Sequence, residues 1–109
     1  MSFEVKLSSN FEKEAKWLVK KYASLREEIE EVMSSLAINP NQGDSIGKNC
    51  YKIRLSITSK GKGKSGGARV ITNIAVFKNV VYLLSIYDKS DMDNISDTDL
   101  KRMLKQLPD

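Results

Sequence analysis

The sequence has no histidine and only one cysteine, Cys50. That removes zinc sites of the Cys/His kind, Ser-His-Asp and Cys-His catalytic arrangements, and any intramolecular disulfide. Whatever chemistry the chain performs has to be done by Lys, Arg, Tyr, Ser or a carboxylate. The lone cysteine also matches a reducing compartment. No apolar run approaches the roughly 18 to 20 residues that cross a bilayer. Met1 to Leu7 lacks the apolar region of a signal peptide, so the expectation is a cytoplasmic protein with no membrane partner. Repeats and linkers are missing too, and 109 residues read as one domain, 1–109, with room for a core without metals or disulfides.

Acidic residues are missing from one long stretch. Between Asp44 and Asp88 there are none, while Lys48, Lys52, Arg54, Lys60, Lys62, Lys64, Arg69 and Lys78 all fall inside it. The net charge of +4 therefore hides a strongly basic middle between acidic ends. Such asymmetry points to a polyanionic partner. The acids Glu27, Glu28, Glu30 and Glu31 cluster at helical spacing, which reads as a solvated helix face and not as a calcium or magnesium site.

Periodicity supplies the elements. Phe3, Val5 and Leu7 alternate with Glu4 and Lys6 as a short strand. Ser8, Ser9 and Asn10 offer N-cap oxygens to a helix whose stripe is Phe11, Ala15, Leu18, Val19 and Tyr22. Trp17, beside that stripe, reads as core or hairpin packing. Ser24 restarts the pattern through Leu25, Ile29, Val32, Met33 and Leu36, which Asn39-Pro40 ends. A loop over 39–49 follows. Tyr51, Ile53, Leu55 and Ile57 then alternate with Lys52, Arg54, Ser56 and Thr58, so one strand face is buried and the other is wet and positive. Ala68 to Phe77 and Val80 to Tyr87 read as two further strands around a Lys78-Asn79 turn, the last strand lying inside the sheet. Ser96 with Asp99 caps a short helix carrying Leu100, Met103, Leu104 and Leu107. The fold class is α+β in the order β-α-α-β-β-β-α, a helical hairpin on a small, mainly antiparallel sheet.

Two apparent motifs dissolve. Gly61 to Gly66 spells G-x-G-x-x-G, and Gly63-Lys64-Ser65 looks like the end of a phosphate-binding P-loop. Both need a helix next, and here a strand follows. What the loop can offer is backbone N–H groups and lysine charge for phosphates. Lys52 and Arg54 carry more weight, because they share one strand face, and Arg69 joins them if the hairpin register allows. Crowded cations disfavour the charged form of a lysine, which would let it act as a general base in a chain without histidine. Arginine instead suits a phosphate whose charge grows in a transition state.

At these residues the sequence resembles the RelE/ParE superfamily of toxins from type II toxin–antitoxin pairs, in its RelE/HigB-type branch. The resemblance rests on Tyr51-Lys52-Ile53-Arg54-Leu55, on the loop from Gly61 to Ile71 ending in Gly66-Gly67-Ala68-Arg69, and on Leu83 to Ser90. It implies a ribosome-dependent endoribonuclease that cuts mRNA in the A site without metal or other cofactor. The nucleophile would be the 2′-OH and the product a 2′,3′-cyclic phosphate. It also implies roles: Lys52 as general base, Arg54 and Arg69 stabilising the scissile phosphate, and Lys89 assisting the leaving group. Lys48, Lys60, Lys62 and Lys64 would contact RNA or ribosome, and a cognate antitoxin would cover the basic groove. Relatives place a stacking tyrosine near the start of the last helix, where this chain has Ile95; Tyr87 is the substitute. Two other readings stand beside this one: a ParE-like inhibitor of DNA gyrase, and a non-catalytic RNA-binding module.

Overall fold

The structure, a computed structural model, describes residues 2–61, 63 and 66–108. Its elements are β1 (Glu4–Leu7), α1 (Ser9–Lys21), α2 (Leu25–Ile38), β2 (Asp44–Gly47), β3 (Cys50–Leu55), β4 (Ala68–Ala75), β5 (Val80–Asp88) and α3 (Asp97–Lys105). The five strands form one sheet in the order β1-β5-β4-β3-β2. Only β1 and β5 run parallel; the other neighbours are antiparallel. The α+β fold and the helix order follow the sequence reading, with β2 as an addition. Its four residues, Asp-Ser-Ile-Gly, carry one large apolar side chain and no alternation, so nothing marks them as a strand. They pair because Lys48 and Asn49, with φ of 57° and 58°, make a two-residue turn between Gly47 and Cys50.

The helices start where the side chains can hold them. Ser8 Oγ accepts the Phe11 N–H at 3.0 Å and donates to the Leu84 carbonyl, which fastens α1 to β5. Ser96 Oγ accepts the Asp99 N–H at 3.1 Å. Ser24 precedes α2 without capping it; its hydroxyl instead meets Glu28 and Ser59. α1 and α2 bury Phe11, Leu18, Leu25, Ile29 and Leu36 against Ile53, Leu55, Ile57, Val70, Leu83 and Ile86. On the opposite face α3 lays Leu100 and Met103 over Cys50, Ile71, Val80, Tyr82 and Leu84. Both faces of β5 are thereby covered, and all nine of its residues are buried. The middle strand is nevertheless β4, since β5 sits one place nearer the edge.

A register slip between Ile71 and Thr72 leaves Leu84 as an extra residue on β5. The bulge turns both Leu84 and Tyr87 toward α3, and both Leu83 and Ile86 toward the hairpin. One packing expectation fails. Trp17 is 74 % exposed. It stands one residue before buried Leu18, and a helix turns about 100° per residue, so Trp17 points off the apolar stripe into solvent.

Candidate active site

The alternation along β3 puts Lys52 and Arg54 on the face away from the helical hairpin, and the register decides the rest. Arg54 pairs directly with Arg69 on β4, and Arg69 pairs directly with Tyr87 on β5. Directly opposed residues hold their Cβ atoms about 5 Å apart. The row Arg54, Arg69, Tyr87 therefore crosses three strands, with Lys52 two residues along. The apolar cluster under α3 takes in Tyr87 at one end of this row, and Arg54 at the other end is exposed.

The two arginines differ in exposure. Arg54 is exposed, and among the described residues no acid lies within ion-pair distance of it. Arg69 is 4 % exposed and donates from its guanidinium to the Ala68 carbonyl at 3.0 Å. The face is thus wet at Arg54 and closed over Arg69, where the alternation alone had suggested a uniformly solvated surface.

The segment after β5 closes the site from above. Lys52 Nζ donates to Asn94 Oδ1 at 2.9 Å, and Lys89 is ion-paired to Asp93. The Lys89 hydrogen bond, then its charge, holds the Asp93 carboxyl below the usual carboxylate range, with Arg69 and Lys52 adding to the pull. Asp93 is thus the acid that answers the cation cluster. Sequence reasoning passed over both Asp93 and Asn94; the acid-rich run Asp88 to Asn94 directly after the last strand was the available signal.

Tyr87 does not offer its ring for stacking. It is 6 % exposed and packs into the core under α3. Its hydroxyl is buried without a hydrogen-bond partner among the described residues. Burial raises its pKa, with Arg69 pulling the other way, so the phenol stays neutral and can donate a proton but not abstract one. Cys50 is also buried, and burial pushes its thiol up, which makes it an inert packing group.

The lysines expected to meet RNA divide. Lys60 is corrected by the structure: its ammonium lies 2.5 Å from the Asp88 carboxylate, with the two side chains 9 % and 1 % exposed. A single 3₁₀ turn over Thr58–Lys60 swings it there, and Tyr22 Oη donates to the same carboxylate from the helical side at 2.5 Å. Its charge is consumed inside the fold. Lys48 stays at the surface, paired with Asp97 at 3.2 Å. Lys62 and Lys64 lie outside the described residues.

Around the cluster the backbone is tightly fitted. A Cβ at Gly67 would stand 2.1 Å from the Leu55 carbonyl oxygen, so only glycine lets the chain enter β4 two residues before Arg69. The Gly67 carbonyl accepts the Lys89 N–H at 3.0 Å, which joins the loop to the start of the closing segment. Among the described residues no three His, Cys, Asp or Glu side chains are grouped so as to hold a metal ion.

A small basic α+β domain with opposed arginines on its sheet is the class this architecture defines. Residues 3–107 match the family described as RelE toxin of the RelE / RelB toxin-antitoxin system, and the chain belongs to that family. Solved structures agree in fold. The free E. coli RelE toxin, in a double-mutant form, is 17 % identical with a TM-score of 0.63, over 99 % of this chain and all of that one. The isolated E. coli RelE toxin is 19 % identical with a TM-score of 0.62, over 97 % and 100 %. A chain of the intact E. coli RelBE toxin–antitoxin complex is 20 % identical with a TM-score of 0.61, over 80 % of this chain and 96 % of that one. No helix among the described residues is long and apolar enough to cross a membrane.

Proposed function

We propose that this chain, acting as one domain in the cytoplasm, is the toxin of a toxin–antitoxin pair and cuts mRNA in the ribosomal A site. The observation that carries this reading is the direct opposition of Arg54 and Arg69. Like charges directly opposed in a sheet destabilise it. A fold that keeps them gains from an anion lying across both, and an RNA phosphate has the charge and the forked geometry that guanidinium groups match.

The reaction is a transfer within the RNA. The 2′-oxygen loses its proton to a base, attacks the adjacent phosphorus and forms a P–O bond. The bond from phosphorus to the 5′-oxygen breaks, leaving a 2′,3′-cyclic phosphate and a 5′-hydroxyl that takes up a proton. Arg54 and Arg69 stabilise the charge that builds on the phosphate oxygens. Lys52 is the general base; as it stands it donates to Asn94, so it must release both that bond and a proton first. Lys89, one residue beyond β5, supplies the proton to the leaving oxygen. Tyr87 packs beside Arg69 and keeps it in place, and Lys48 meets the ribosome. The partners are mRNA, ribosome and a cognate antitoxin, whose binding would have to close access to Arg54.

A translation assay with ribosomes and mRNA, read by primer extension, tests this. The wild-type chain should cut within the A-site codon. Arg69→Ala should slow cutting by about a hundredfold or more, the loss typical of one preorganised transition-state donor. Intact mRNA together with inhibited gyrase supercoiling would overturn the reading in favour of a ParE-like inhibitor.

A further inference from the structure

The exposed side of α1 carries a feature that the catalytic reading does not use. Lys13, Lys16, Trp17 and Lys20 fall at i, i+3, i+4 and i+7, one helical face. Trp17 is 74 % exposed on that face. Among the described residues no acid lies within ion-pair distance of Lys13, Lys16 or Lys20. Burying a tryptophan is worth a great deal, so leaving this one in water is a costly arrangement for a merely solvated surface.

The four residues line a cleft of about 540 Å³ that runs from α1 to the end of β5, where Tyr87 and Asp91 border it. Its other two acids face elsewhere. Glu14 accepts from Ser85 Oγ at 2.8 Å and Asn10 Nδ2 at 2.9 Å, and Asp88 is held by Lys60 and Tyr22. Tyr87 pairs with Arg69 along the ladder but packs its side chain with α3, so the cleft lies on the hairpin side of the strand that ends the arginine row.

We propose that this cleft is a second RNA-binding surface, which takes a single-stranded segment by stacking one base on Trp17 and holding its phosphates on Lys13, Lys16 and Lys20. An exposed aromatic ring among unpaired cations is the combination that binds single strands without regard to sequence. Charge decides the occupant: three lysines against Asp91 favour a polyanion, and the ring favours one that carries bases. The inference deepens the reading of this chain as RNA-directed, but it does not depend on cleavage.

Trp17 is the only tryptophan, so its emission reports on this surface alone. A single-stranded oligouridylate titrated into the Arg69→Ala protein, which keeps cleavage out of the measurement, should quench that emission. The apparent affinity should fall steeply with salt. Lys13→Gln/Lys16→Gln/Lys20→Gln should lower the salt slope by about 2, since each phosphate contact on a single strand contributes roughly 0.7. Trp17→Ala, read by anisotropy of labelled RNA, should weaken binding about tenfold. All four positions are on the open helix face, so these variants should keep the wild-type unfolding midpoint. Unchanged emission at saturating RNA overturns the proposal. So does equal quenching by polyglutamate, which would make the cleft a dock for an acidic protein segment. Quenching without A-site cleavage by the wild-type chain would sink the proposed function alone; cleavage without quenching would sink this inference alone.

Discussion

The two sides of the sheet treat charge in opposite ways within one pair of strands. At the end of β5 on the hairpin side, Asp88 receives Lys60 and Tyr22 at 2.5 Å each, and the Ser90 N–H at 2.9 Å. On the other side, one residue back along the ladder, Arg54 stands opposite Arg69. The first arrangement is closed: each charge has its answer and solvent is excluded. The second is open at Arg54 and closed over Arg69, and its local acid, Asp93, is bound to Lys89 at the rim. Charge satisfied internally holds a fold together, whereas the exposed Arg54 is, on the proposed reading, the charge that meets a ligand. The same lysine-rich loop region feeds both, and what separates them is which side of the sheet a residue reaches.

The closed side should give the largest stability effect. Asp88→Asn leaves Lys60 buried beside a neutral group, and breaking a buried pair in this way costs about 3 kcal/mol. The effect should also depend on pH. Burial pushes the Asp88 carboxyl up, but hydrogen bonds from Lys60, Tyr22 and the Ser90 N–H outweigh it and hold the group well below the carboxylate range. Its stabilisation is therefore complete above the unfolded-chain value near 4, and it is lost as pH falls below that. Urea midpoints of the wild type and Asp88→Asn should lie far apart at pH 7 and converge toward pH 2. A constant gap across that range would show that Asp88 acts by shape and not by charge.

Next in size is the joint between the two sides. Gly67→Ala forces a Cβ to within 2.1 Å of the Leu55 carbonyl, a backbone atom that cannot swing aside. The chain must shift at the entry to β4, at a cost of about 2 kcal/mol, typical of overpacking. Because Arg69 is two residues on, A-site cleavage should fall more than the lost stability explains, measured at a temperature where the variant remains folded. A variant with lowered midpoint but wild-type cleavage would show that the strand entry and the arginine row move independently.

These same contrasts mark what was readable from residues alone. The period of two over Tyr51 to Ile57 set the face of Lys52 and Arg54, because burial of one face leaves a strand only one orientation. The arginine opposition needed the register, which no local pattern carries. Lys60, Lys62 and Lys64 look equivalent as letters; the 3₁₀ turn that swings Lys60 under the sheet became visible only in three dimensions. Asp88 was the clue, since an acid closing an otherwise apolar strand calls for a buried partner. Trp17 was misjudged because its neighbour Leu18 is core, and adjacency along a helix is not adjacency in space. β2 stayed hidden because its pairing comes from the turn that follows it rather than from its own four residues.

The smallest effect tests the open side without disturbing the fold. Asp93 is exposed and its partner Lys89 partly so, and exposed ion pairs add little to stability. Asp93→Asn should therefore leave the urea midpoint unchanged within error. Its charge nevertheless acts on Arg69 and Lys52 as well as Lys89, so removing it strips the local anion from the site proposed to hold a phosphate. Binding of a short single-stranded RNA should tighten by about twofold at low ionic strength, and the gain should fade near 1 M salt, where charges are screened within about 3 Å. The gain should also require the arginines, so Arg54→Ala in the same protein should cancel most of it. Weaker binding by Asp93→Asn would mean that Asp93 fixes Lys89 in a productive position, and the rim acid would then belong to the closed kind of arrangement found around Asp88.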